Sequence, residues 1–314
     1  MGQQSATQGI LQRIGNTPLI ELKQIVPDNC ARILMKDEST NPTGAIKDRM
    51  ALTMIEAAEK DGRLAPGQPV VEYTAGSTGV SLAFVCAVKG RPLSLVTSDA
   101  FSAEKRFHMA AYGAELTVIR SDGGKMDQNL TTNMISAAND IQKATNAFWT
   151  DQLNNSDQLV AYHRLGEEIW SQTRGKVDAF VHCAGTAATV RGVSEKLHEY
   201  DGNVCCVAIE PSESPVLSGG ASGAHGIEGV GAGFVVPLWK PDAVDAVLTV
   251  STDDAMAMAR RLAREEGIFA GTSTGGNVLK AMEIGRDLGP EATVVTIIAD
   301  SGIKYTSTPL YGRQ

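Results

Sequence analysis

Cysteine is scarce in this chain of 314 residues, with five copies at positions 30, 86, 183, 205 and 206. The number is odd and no C-x-x-C pair occurs. Cys86, Cys183, Cys205 and Cys206 sit in apolar runs, so the pattern speaks for reduced, structural thiols and against a disulfide framework. Basic charge is also short: 28 Lys and Arg stand against 36 Asp and Glu, a net charge of −8. Such a chain has no bulk attraction for nucleic acid or an anionic membrane. Any anion it binds must be held by local dipoles and a few basic groups. No run has the length and apolarity of a membrane span. Residues 1–5 lack the basic and apolar regions of a signal peptide, and Met-Gly-x-x-x-Ala lacks the Ser or Thr of a myristoylation site. A cytoplasmic location is therefore expected. Histidines 108, 163, 182, 198 and 225 show no ligand spacing, and no metal is expected. No G-x-S-x-G elbow supports a serine hydrolase.

What is present is alternation. Strand patterns are read at 70–74, 93–98, 115–120, 147–151, 179–184, 204–209, 246–250 and 293–299, several of them apolar at nearly every position, as parallel strands covered on both faces are. Helical patterns lie between them. One covers 157–173 and carries His163. Another opens at Ser251-Thr252-Asp253-Asp254 and stops at Gly267. The Gly/Ser/Ala-rich stretch 217–224 reads as a loop. Strand–helix alternation at this spacing predicts a doubly wound α/β architecture with mostly parallel central sheets, as one large unit or two packed domains. The expected division is a smaller domain over 40–150 and a larger one over 151–314, joined by the N-terminal segment 1–39.

Five segments could carry chemistry. In Asn41-Pro42-Thr43-Gly44-Ala45-Ile46-Lys47-Asp48-Arg49, Pro42 and Gly44 make a turn and Lys47 falls where a helix begins. The positive end of the helix dipole disfavours a cation there and favours the neutral amine that a Schiff-base lysine needs. Taken alone, the segment also reads as a solvated lysine before an Asp48/Arg49 charge pair. Thr74-Ala75-Gly76-Ser77-Thr78-Gly79 joins a strand to an apolar helix and offers N–H groups and hydroxyls to an anion such as a carboxylate, or is a capped turn. Gly185-Thr186-Ala187-Ala188-Thr189 repeats that arrangement and suits a phosphate; it is neither a P-loop nor a dinucleotide fingerprint. Gly229-Val230-Gly231-Ala232-Gly233 opens no helix and reads as backbone close to a ligand. Asp300-Ser301-Gly302 follows the last strand, where α/β sheets bind ligands; an ordinary turn is the alternative.

In order, these segments resemble the cysteine synthase (O-acetylserine sulfhydrylase) and cystathionine β-synthase family, pyridoxal-phosphate enzymes of the tryptophan-synthase-β fold type. The resemblance runs from Ile14-Gly15-Asn16-Thr17-Pro18-Leu19 to Thr308-Pro309-Leu310-Tyr311. Between them lie Ala111-Tyr112-Gly113-Ala114-Glu115, Gly166-Glu167-Glu168-Ile169-Trp170, Glu228-Gly229-Val230-Gly231-Ala232-Gly233-Phe234 and Glu266-Gly267-Ile268-Phe269-Ala270-Gly271-Thr272-Ser273. The resemblance implies pyridoxal 5'-phosphate in a cleft between the domains, with Lys47 as aldimine lysine and base for the α-proton. It implies Gly185, Thr186, Ala187, Ala188 and Thr189 around the cofactor phosphate, Ser301 at the pyridine nitrogen, and Ser77 and Ser273 also at the cofactor. Thr74, Ala75, Gly76, Ser77 and Thr78 would grip the substrate carboxylate with help from Gln152, and Gly231 would flank the ring.

The implied reaction is β-replacement on an O-activated serine, through an aminoacrylate that takes up sulfide or another nucleophile. Another lyase on the same scaffold (a cysteine desulfhydrase, a cystathionine-β-synthase-like enzyme or a serine/threonine dehydratase) and a non-catalytic binding module are the alternatives. A homodimer that acts on small molecules, and not on nucleic acid or membranes, is implied. The chain departs from the family at three places. Ala75 and Ser77 replace a serine and an asparagine, and Ser77 is expected to donate one hydrogen bond instead of two. Ala187 and Ala188 replace glycines and are expected to disfavour positive φ. Lys304 stands where arginine is common.

Overall fold

A computed structural model describes residues 9–123 and 128–312. Residues 1–5, read above for a leader, lie outside the described residues. The strands in chain order are β1 (Leu19–Glu21), β2 (Arg32–Asp37), β3 (Val70–Tyr73), β4 (Leu93–Ser98), β5 (Glu115–Ile119), β6 (Phe148–Trp149), β7 (Ala179–Cys183), β8 (Cys205–Pro211), β9 (Ala246–Val250) and β10 (Thr293–Ile298). The α-helices are α1 (Lys47–Asp61), α2 (Ser77–Lys89), α3 (Ala103–Ala111), α4 (Gln128–Thr145), α5 (Gln158–Thr173), α6 (Ala188–Tyr200), α7 (Thr252–Arg261) and α8 (Thr272–Leu288).

Two sheets result. One is six-stranded in the order β1-β2-β10-β7-β8-β9, parallel except for β1 against β2; the other is four-stranded and parallel, in the order β5-β4-β3-β6. β3, β7 and β10 are buried along their whole length, which explains their near-continuous apolar sequence. The helices obey the 3.6 period. In α1 the buried Met50, Ala51, Met54, Ile55 and Ala58 form one face, and Gly62 ends the helix in the left-handed region at φ 85°. Ser251 caps α7 by accepting from the Asp254 N–H, and Gly267 ends the turn that follows it, as the sequence indicated. Among the described residues no helix is long and apolar enough to cross a membrane.

Two expectations fail locally. No strand is read from the sequence before residue 70, yet β1 and β2 occupy 19–37. β2 carries Lys36 next to its last residue, a residue type that breaks an apolar reading. The fold buries this lysine completely by giving its amine Thr17 O at 2.6 Å, Gln172 Oε1 at 3.0 Å and the Glu168 carboxylate at 2.7 Å. The second failure is Ala187, which does adopt positive φ, at 64°, just before α6. The chain must turn left-handed to bring β7 into α6, and the alanine bears the strain. Ala187→Gly should therefore raise unfolding stability by about 1 kcal/mol, measured by chemical denaturation, since the left-handed region costs a non-glycine residue roughly that much. An unchanged or lower midpoint would show that the turn is not strained.

Candidate active site

The carboxyl ends of β3, β7 and β10 deliver three loops to one place, where open α/β sheets take ligands. The cleft there has a volume of ≈ 520 Å³, and its walls include Lys47, Ser77, Gly185, Thr186, Ala187, Thr189, Gly229, Ser273 and Asp300. It opens into a neighbouring chamber of ≈ 780 Å³ that shares Lys47, Ser77, Gly185, Thr186 and Glu228 and adds Thr74, Ala75, Gly76, Thr78, Gln152, Gly231 and Lys105. Two of the residues named from the sequence are missing from both walls. Ala188 is buried in the first turn of α6. Ser301 faces other work: its Oγ accepts from the Ile303 N–H at 3.3 Å and caps a short 3-10 turn, and a Cβ built on Gly44 would lie 3.4 Å from its Cβ. Ser273, in the first turn of α8, does line the cleft.

Lys47 is the first residue of α1, as its motif indicated. Burial brings its amine down to about 8, and the Asp300 charge opposes that shift. The sequence argument assigned the effect to the helix dipole, but desolvation is the leading cause. Near neutral pH the folded protein thus holds a small share of Lys47 as free amine, far more than an ordinary exposed lysine would.

The loop 185–189 presents the N-terminus of α6 to the cleft. Thr186 Oγ1 donates to Gln158 Oε1 at 3.3 Å and accepts from the Ala188 N–H at 3.5 Å. Gly185 is required, because a Cβ there would sit 2.2 Å from Gly229 O. This close approach joins the loop to the 229–233 segment, and the Gly231 N–H donates to Ala184 O at 3.1 Å.

The loop 74–79 is organised differently from expectation. The Gly76 and Gly79 N–H groups both donate to Thr74 Oγ1, at 2.9 and 3.0 Å, so neither is open to a ligand. α2 starts at Ser77, and the Ser77 and Thr78 N–H groups, first in the helix, have no intrahelical carbonyl. An anion placed here meets those two donors and the helix dipole. Thr78 Oγ1 donates to Gln152 Oε1 at 2.8 Å, and Gln152 Nε2 donates to Tyr73 O at 2.8 Å, so Gln152 braces the loop with both ends of its amide.

The residue that places Gln152 was not singled out from the sequence. Glu72, fully buried in β3, accepts from the N–H groups of Tyr73 and Gln152, from Trp149 Nε1 and from Thr150 Oγ1, at 2.6–3.1 Å. Burial pushes its carboxyl up to about 7 in spite of these four donors. A glutamate in an apolar strand flanked by a small-residue loop is the only sequence signal for it. Lys105 and Glu228 were also missed as a pair. Lys105 reaches from α3 to Glu228 at 2.6 Å, its amine lies 4.2 Å from the Tyr305 ring centroid, and its stem fills the space beside Gly76, where a Cβ would meet it at 2.3 Å. Far from the cleft, one ligand atom each of His198, Cys206 and Asp245 lie within 4.8 Å of one another, but burial pushes the Cys206 thiol up to about 12 and Val204 O already engages His198 Nε2.

The site thus combines a partly neutral lysine amine, an anion site at α6, a second at α2 and a lone serine hydroxyl at α8. The comparisons with known proteins agree with that chemistry. The pattern of the pyridoxal-phosphate dependent enzymes matches residues 10–300. A cysteine synthase of Staphylococcus aureus is 40% identical over 310 residues, covering 98% of both chains. The crystal structure of a cysteine synthase from Entamoeba histolytica superposes with a TM-score of 0.91 at 35% identity, covering 100% of this chain and 93% of that one. An O-ureido-L-serine synthase structure superposes with a TM-score of 0.90 at 33% identity, covering 98% and 96%. This chain belongs to the family of pyridoxal-phosphate dependent enzymes.

Proposed function

We propose that the protein is a cysteine-synthase-like enzyme that replaces the β-substituent of O-acetylserine, or a close relative, with sulfide or another small nucleophile. The observation that carries this reading is the meeting of Lys47, the 185–189 loop, the 74–79 loop and Ser273 on one cleft. The residues fit pyridoxal phosphate. Gly185 lets the 229–233 segment close against the 185–189 loop, α6 offers its N-terminus to a phosphate, and burial favours the neutral Lys47 amine that bonds an aldehyde. When bound, the cofactor supplies the electron sink that loosens the substrate's α-hydrogen and β-substituent.

The chain's own residues do the rest. Thr186 and Thr189 supply hydroxyls beside the α6 dipole to hold the phosphate. Ser273 takes the place at the pyridine nitrogen that the resemblance gave to Ser301; a hydroxyl cannot hold that nitrogen protonated as a carboxylate would, which favours β-elimination over transamination. The Ser77 and Thr78 N–H groups hold the substrate carboxylate, with Gln152 bracing Thr78. Lys47 Nζ takes the α-proton and returns it. Residues 40–150 form the unit that closes on the bound amino acid, and a cytoplasmic homodimer is the working form.

Two outcomes check this reading. Thr186→Ala and Thr189→Ala should each weaken pyridoxal-phosphate binding by about 1.5–3 kcal/mol, the worth of one charge-assisted hydrogen bond, in a fluorescence titration of cofactor-stripped protein. Parent-like affinity in both would move the phosphate elsewhere. O-acetylserine and hydrosulfide should give cysteine and acetate in equal amounts. Cysteine absent from the products of every β-substituted serine tried would refute β-replacement.

A further inference from the structure

Ser77 has one hydroxyl proton, and it is spent on Asp300: Ser77 Oγ donates to Asp300 Oδ2 at 3.0 Å. A carboxylate oxygen can only accept, so the serine oxygen is left with its lone pairs. The same Asp300 oxygen accepts from the Tyr305 hydroxyl at 2.7 Å, while Oδ1 is buried with no partner. The carboxylate cannot swing away. Its backbone is held by Gly271 N–H donating to Asp300 O at 3.2 Å and by a bridge to Ala45, and a Cβ on Gly271 would strike Oδ1 at 2.3 Å and the Tyr305 ring at 2.6 Å. Gly271 is the N-cap of α8, whose dipole favours a negative charge there. Asp300 and Ser77 both line the cleft that contains Lys47.

We propose that Asp300 is a positioning residue that fixes Ser77 as a hydrogen-bond acceptor toward the cleft, so that this point of the loop reads a protonated nitrogen, on Lys47 or on the α-amino group of an amino-acid substrate, and not a carboxylate. The inference rests on the cofactor and substrate reading above and reverses the donor role that the sequence suggested for Ser77. It divides the labour in the loop: backbone N–H groups at Ser77 and Thr78 meet the carboxylate, and the Ser77 oxygen meets the ammonium. The charge of Asp300 is felt at the two buried amines nearby. Lys47 and Lys304 are each brought down to about 8 by burial, with Asp300 opposing. The other titratable groups around this corner are Asp48 on α1, Lys105 on α3, His182 on β7, Glu228 before the glycine loop and Tyr305. None of them donates to or accepts from Ser77 Oγ in the structure as Asp300 does.

The test is a pH titration of the visible absorption of the holoenzyme in the parent, Asp300→Asn, Ser77→Ala and the double variant. The asparagine amide can donate, so it frees the Ser77 proton to point into the cleft. Asp300→Asn should lower the midpoint by about one pH unit, the shift typical of losing an opposite charge near an amine. At least half of that shift should vanish in the Ser77→Ala background, because the two residues act through one contact. Equal shifts in both backgrounds would overturn the inference and leave Asp300 acting by charge alone. Tyr305→Phe removes the carboxylate's other partner and should leave the midpoint in place; a shift matching that of Asp300→Asn would show a merely structural role and overturn it too. These readouts need only the bound cofactor, so they stand apart from turnover of O-acetylserine. A parent protein without a visible band would overturn the cofactor assignment, and this inference with it.

Discussion

Lys47→Ala is expected to abolish the lysine-linked visible absorption and to slow turnover by about 10²–10⁴-fold, the range set by losing a positioned general base. The structure gives this residue both of its tasks. It stands at the first turn of α1, on the wall of the cleft, and burial brings its amine to about 8. The alanine variant should still fold, because the buried face of α1 is carried by Met50, Ala51, Met54, Ile55 and Ala58. It should still bind pyridoxal phosphate through the 185–189 loop. Absorption spectroscopy before and after borohydride reduction, with mass analysis for the modified lysine, separates the two effects. A normally coloured, active variant would remove Lys47 from the chemistry.

The largest effect on stability is expected at Arg49, two residues further on. Its guanidinium is almost fully buried and forks between two carboxylates. Nε and Nη2 donate to Glu38 at 2.7 and 2.8 Å, while Nη1 and Nη2 donate to Glu168, both at 2.7 Å. Glu168 also holds Lys36, and Glu38 accepts from Thr17 Oγ1 at 2.6 Å. Arg49→Met should destabilise the fold by about 3–5 kcal/mol, because it leaves Glu38 buried without its cation. Urea unfolding measures the loss, and a change under about 1 kcal/mol would contradict it. The network also sets a pH dependence. Burial alone would raise the Glu168 carboxyl, but Arg49 and Lys36 bring it down to about 2. Its folded value lies below the ordinary carboxyl value of 4.5, so its stabilising share is present above that pH and is lost as pH falls from there toward 2. In Arg49→Met that acid-side loss should shrink.

These two residues show what the sequence could and could not disclose. The place of Lys47 at a helix start was legible because a turn and a helix start are local properties, and the parallel strands were legible because burial on both faces leaves continuous apolar runs. Arg49 read as half of a charge pair with Asp48. In the structure Asp48 turns the other way, accepting from Thr43 and Ser81, while Arg49 finds Glu168 across 119 residues of chain. No local pattern encodes such a partner. β2 escaped for the same reason, since Lys36 becomes a core residue only when Gln172 and Glu168 arrive from α5. Ser301 drew attention because it follows the last strand, and only the short turn after β10 shows its Oγ accepting from the Ile303 N–H while Ser273 lines the cleft. Glu72 was passed over as a lone acid in an apolar strand, although its four donors hold the loop that carries Gln152.

The most direct test of β-replacement at the Lys47 cleft is an absorption experiment on the holoenzyme with the two substrates added in turn. O-acetylserine alone should convert the resting visible band to a new one, with one acetate released per site. Hydrosulfide should then restore the resting band and release one cysteine per site. A resting band that no β-substituted serine displaces, or a displaced band that hydrosulfide restores without forming cysteine, would contradict it.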